Sequence, residues 1–229
     1  ALVFASLLGI PAILIAIGVR TNVPIKKSSV GGFSSLARTI TIRGVIFASV
    51  ISAGIFFAFG VTISYAPLFG TTVIGLSEVD ITKMFVIYAA SMIAVRLFMS
   101  FVAKSMNAVI LLVTALIFAS VSLVIIAQST TLEIFAIAFI FGGLSHGIGF
   151  PVATSMIAGE TTVSQRMFAN SFYSLSSDIG SLIGPIMIAL TLSSIGLASS
   201  FLVVALMPLS CMVIALVVWR ALAKQSGTS

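Results

Sequence analysis

The sequence predicts an all-α integral membrane fold with seven transmembrane helices, the last six forming an inverted 3+3 repeat. Three observations carry the prediction: the composition, the lengths of the apolar runs, and the placement of the basic residues. Hydrophobic residues make up 60% of the 229 positions and charged residues 7%, whereas an ordinary soluble domain is about a quarter charged. With a mean hydropathy of +1.31, too little polar surface remains to cover a water-soluble globule. The lipid bilayer is therefore the first partner the sequence implies. The apolar runs reach or exceed the ~20 residues of a spanning helix, whereas a β-barrel would show shorter, alternating segments.

The first run, 1–19, reads ALVFASLLGIPAILIAIGV, and its first charge, Arg20, follows it. A signal peptide carries its charge in front, so this run is expected to be a spanning helix cut from a longer protein. Residues 20–43 are a basic linker holding Arg20, Lys26, Lys27, Arg38 and Arg43 without an acid. Val30, Phe33, Leu36, Ala37 and Ile40 follow helical spacing there, which suits a helix lying on the membrane surface; the SSVGG stretch suits a flexible tether equally. Six further runs follow at 44–69, 84–103, 107–127, 134–158, 167–192 and 198–219, joined by short connections that make neighbours antiparallel. The single cysteine, Cys211, lies in the last of these and can form no intrachain disulfide.

Orientation follows from the charges. An all-basic linker belongs on the cytoplasmic side, and alternation then brings Arg96, Lys104, Arg166, Arg220 and Lys224 to that side. Glu78, Asp80, Lys83 and Glu133 fall opposite, so of eleven basic residues only Lys83 is on the far side. The expected location is a cell membrane, plasma or inner, with the linker and the C-terminus cytoplasmic. The net charge of +6 is thus a topology signal, and no nucleic-acid partner is implied.

The six runs after the linker divide into two triplets of opposite orientation, because each has an odd number of spans. The first member of each is rich in glycine and proline: Gly54, Gly60 and Pro67 in 44–69, and Gly142, Gly143, Gly147, Gly149 and Pro151 in 134–158. Interrupted helices at matching places in inverted repeats point to a transport pathway. Gly143/Gly147 and Gly180/Gly184 are also GxxxG pairs, which account for themselves as close helix packing.

Asp178 follows Arg166 by twelve residues, ~18 Å along a helix, which places it near mid-membrane. A charge there costs at least ~2.5–3.5 kcal/mol and should face protein or water. By helical spacing Asn170, Tyr173, Ser174, Ser177, Asp178 and Ser181 form one polar face, with Gly180 and Gly184 roughly opposite. His146 is the only histidine and also lies near mid-helix, with Gly142, Gly143 and Gly149 leaving space beside its ring. An imidazole there suits a proton relay, and a plain hydrogen bond to a neighbouring helix suits it too. Arg96, two turns from its helix end, reads as a snorkelling or gate-bracing residue as well as a pathway candidate. No phosphate-binding loop of the GxxxxGK[ST] type occurs, five acids offer no catalytic pairing, and no metal or other cofactor is implied. An enzyme is not expected.

The stretch SHGIGFPVATSMIAGETTVSQRMFANSFYSLSSDIGSLIGP resembles the tenth and eleventh helices of major facilitator superfamily (MFS) transporters. It supplies Gly147, Gly149 and Pro151, then Arg166 and Ala169, then Asp178, Gly180, Gly184 and Pro185 in the family's order. VRLFMSFVAKSMN resembles the loop between helices eight and nine, with Arg96 in the arginine position. Lys104 stands where an aspartate is usual and Met167 where a glycine is usual, so the charge-relay role of that loop does not carry over. The resemblance implies that 1–19 is the sixth helix, 20–43 the central loop and 44–229 the C-terminal six-helix half of an MFS-type transporter. It implies secondary active transport of a small organic solute by alternating access, as a proton-antiport efflux permease. The partner would be a missing N-terminal six-helix half or a second copy. The alternative is a non-transporting membrane sensor or assembly module in which the buried polar residues only lock helices together.

Overall fold

The computed structural model describes residues 38–102 and 106–226. The run 1–19, most of the linker and Lys104 lie outside the described residues. Among the described residues six helices are long and apolar enough to span a bilayer. They are α1 (Arg43–Phe69, continued by one π-helical turn, Gly70–Ile74), α2 (Glu78–Val102), α3 (Ala108–Gln128), α4 (Leu132–Glu160), α5 (Val163–Ile195) and α6 (Leu197–Ala223). No strand occurs among the described residues.

Five of the six helices are longer than their apolar segments because polar residues finish the ends, and α3 equals its own. Ser77 accepts the Asp80 amide proton at 3.2 Å at the start of α2, Asn107 caps α3 through Val109, and Thr162 with Gln165 forms a capping box before α5. These side chains satisfy amides that have no partner within the helix. At the end of the bundle that also holds Asn107 and Thr162, the start of α1 is held by other helices. The Glu160 carboxylate at the end of α4 accepts the Gly44 amide proton at 2.7 Å, a favourable place for an anion at a helix N-terminus. Beside it, the Arg43 guanidinium lies 3.3 Å over the Trp219 ring of α6. This end also carries Arg38, Arg96, Arg166 and Arg220, while Glu78, Asp80, Lys83 and Glu133 sit at the other.

The packing is reciprocal between the triplets. α1 lies against α5 and α6, the second and third helices of the other triplet, and α4 lies against α2 and α3. α1 and α4 also touch each other at the centre. Two apolar clusters fill the bundle, one around Phe47, Ile51, Leu112 and Ile157, the other around Phe69, Leu123, Phe135 and Phe201.

The interruptions expected from glycine and proline do not occur. α1 runs unbroken through Gly54, Gly60 and Pro67, and α4 through Gly143, Gly147, Gly149 and Pro151. In a bilayer a broken backbone would leave amides and carbonyls without partners, so the helices stay closed. Thr154 Oγ1 donates to the Phe150 and Pro151 carbonyls, and Thr71 Oγ1 to Pro67.

Among the described residues the one with non-helical dihedrals inside a long helical stretch is Gly196, between α5 and α6, with φ 76° and ψ 169°. A connection of several residues is thereby reduced to a single hinge. That backbone region is open to glycine and costs other residues ~1–3 kcal/mol. No atom lies within 4 Å of where a Cβ would stand, so Gly196→Ala is expected to lower stability by ~1–3 kcal/mol through strain alone. Thermal unfolding in detergent would check it, and an unchanged midpoint would rule the strain out.

Candidate functional site

His146 is enclosed by rings from two other helices. Phe56 and Phe59 of α1 meet it edge-on, with centroids at 4.8 and 5.1 Å. Tyr88 of α2 places its hydroxyl 3.2 Å from Nδ1. The space expected beside the imidazole is therefore filled. A Cβ on Gly142 would stand 2.8 Å from the Tyr88 ring, Gly143 abuts the Tyr88 carbonyl, and Gly149 abuts Ile55. Gly147 rests on Val95 and Met92, so the glycines of α4 are its docking surface for α2 and α1. Gly54 meets Leu116 and Cys211 in the same manner. Losing the hydroxyl through Tyr88→Phe is expected to cost ~1 kcal/mol and to free the ring; a histidine-selective nitrogen spectrum would register a change at Nδ1.

The polar face expected on α5 divides in two. Ala169, Tyr173, Ser177, Gly180 and Gly184 are buried in one row, whereas Asn170, Ser174 and Asp178 are exposed. Ser177 lies only 60° from Gly180 around a helix, which is why it joins the glycines. Ser177 Oγ donates to the Tyr173 carbonyl at 2.9 Å and meets Ser52 Oγ of α1 at 2.5 Å, so Ser52 supplies the second proton. The seam itself is backbone on backbone. Gly180 lies against the Ala53 carbonyl, Gly184 against that of Phe57, and Gly60 against that of Ser181. Pro185 has no amide proton to offer the Ser181 carbonyl four residues earlier, and it is this oxygen that faces Gly60. A serine pair between membrane helices contributes ~0.6 kcal/mol on average; steric fit along the glycines holds α1 to α5.

Asp178 thus stands on an open side of the bundle instead of inside it. Its position, fifteen residues into a 33-residue span, is near the middle, about 22 Å from the helix start. Its carboxylate has no hydrogen-bond or ion-pair partner among the described residues. Toward the arginine-rich end, Asn170 and Ser174 line a groove of about 260 Å³ between α4 and α5, with Phe150, Thr154 and Tyr173. Arg166 closes that groove and donates to the Ala158 carbonyl at 3.2 Å. Arg96 of α2 is exposed, its guanidinium 5.7 Å from the centre of the Phe150 ring.

The arrangement brings His146 and Tyr88 together at mid-bundle, separates Ser177 from Asp178, and leaves Arg96, Asn170 and Asp178 uncovered. Phe56, Phe59 and Tyr88 were not singled out by sequence; an aromatic spacing of three in α1 is the only trace they leave there. Comparison with curated proteins gives no match. A family model described as Major Facilitator Superfamily matches residues 74–229, from the end of α1 to the last residue. The chain belongs to the major facilitator superfamily, a family of membrane transporters.

Proposed function

We propose that this chain forms the C-terminal half of a secondary transporter that exports a small organic solute by alternating access, driven by proton antiport. The observation that carries the reading is Asp178. A carboxylate in the middle of a span, exposed and without a partner among the described residues, costs several kcal/mol against lipid. A second half covering this side of the bundle, with a watered cavity between, removes that cost. Asn170 and Ser174 open on the bundle surface as well, and such a cavity would give these groups solvent and solute to meet. In this reading Asp178 takes up and releases the coupled proton, and His146, held by Tyr88 at mid-bundle, is a second candidate carrier. Tyr173 and Ser177 brace the helix that carries Asp178.

A lock-only role for Asp178 is less well supported, since its carboxylate bonds to no other described helix. The test is solute flux through the full-length protein in proteoliposomes, with and without an imposed pH gradient. Flux that responds to the gradient supports the reading; flux indifferent to it removes proton coupling, and no flux removes transport.

A further inference from the structure

α2 and α3 are consecutive in the chain, yet they scarcely touch; both pack along α4 instead. Toward the arginine-rich end this leaves a crevice of about 420 Å³ between them, within the ~300–1,000 Å³ of small-ligand sites. Its floor is Pro151, Val152 and Ser155 of α4, and Met99 and Leu111 form its walls. Arg96 lines it and has no ion-pair partner among the described residues. The surface on either side is apolar and exposed: Leu97, Phe98 and Phe101 on α2, Ile110 on α3.

We infer that this crevice seats an anionic phospholipid from the adjacent leaflet, its phosphate on Arg96 and one acyl chain along Met99, Leu111 and Val152. A guanidinium matches a phosphate in two parallel hydrogen bonds, and the exposed Ser155 adds a hydroxyl donor. Basic pockets between membrane helices recognise anionic headgroups in this way. The apolar walls select a ligand with a chain, which free phosphate lacks. The surplus of arginines at this end of the bundle favours an anionic headgroup over a neutral one. The inference does not rest on the transport reading, because the lipid would be held without solute or gradient.

The test uses the full-length protein in nanodiscs of equal parts phosphatidylcholine and phosphatidylglycerol, released into a native mass spectrometer. The unsubstituted protein is expected to retain phosphatidylglycerol in preference to phosphatidylcholine. Arg96→Ala should lower that retention about fivefold, the effect of one basic contact at an anionic surface, and leave phosphatidylcholine unchanged. Ser155→Trp, which fills the crevice and keeps Arg96, should lower retention of both lipids. Should Arg96→Ala not fold, Arg96→Gln is read in its place. Equal retention of the two lipids, or phosphatidylglycerol retention indifferent to both substitutions, overturns the inference. Displacement of the lipid preference by inorganic phosphate while Ser155→Trp has no effect would reassign Arg96 to free anions.

Discussion

Gly180→Val is expected to cost ~3 kcal/mol or more, or to prevent the protein from accumulating in the membrane. Overpacking a core usually costs ~1–3 kcal/mol because side chains can rotate aside. At Gly180 the obstacle is the Ala53 carbonyl in the backbone of α1, which can move only if the whole helix does. Parting α1 from α5 would also open the contacts at Gly60 and Gly184, where a Cβ would stand 2.6 Å from the Phe57 oxygen. Gly159 is the natural control. It is helical too, but nothing lies within 4 Å of its added Cβ, so Gly159→Val tests propensity without the clash. Thermal unfolding followed by the fluorescence of the single tryptophan, Trp219, compares the two. Equal losses would mean that the seam tolerates side chains and that the proposed source of stability is wrong.

Asp178→Asn should show the reverse pattern, with transport lost and stability kept. The amide has nearly the same shape but no acidic proton to exchange, so gradient-driven flux is expected to be lost. Because the carboxylate is exposed and bonds to no other helix, the unfolding midpoint should change by less than ~0.5 kcal/mol equivalent. Both are read on one preparation. Undiminished flux with its pH dependence intact would take Asp178 out of the mechanism. A large loss of stability would favour the helix-locking role.

Much of the architecture was legible because membrane insertion is local physics. An apolar run of the right length spans, and Arg38, Arg43, Arg166 and Arg220 declare one end of the bundle against Glu78, Asp80 and Glu133 at the other. The six described spans follow the six runs in order, with ends set by capping residues such as Ser77, Asn107 and Thr162. What the sequence hid lies between helices. His146 is enclosed by Tyr88, 58 residues away, and Glu160 caps Gly44 across 116 residues; no local period announces either. Polarity also misled. Ser177 was grouped with Asp178 because both are polar, but small size decided its place, since a serine fits a glycine seam and an aspartate does not. The prolines misled for the opposite reason: a soluble-protein rule reads them as breaks, and a bilayer keeps such helices whole.

The reciprocal packing of the triplets also sets an order of assembly during synthesis. Ser52 on α1 meets Ser177 on α5 across 125 residues, which at ~5–20 residues per second takes a ribosome on the order of ten seconds to add. Throughout that interval the partners of Ser52 and Gly60 on α1 have not yet been made. Neither hairpin can mature first, because each triplet's leading helix completes the other. The described bundle therefore closes only after α5 and α6 emerge, and a chain stopped after α4 would leave this seam unfilled.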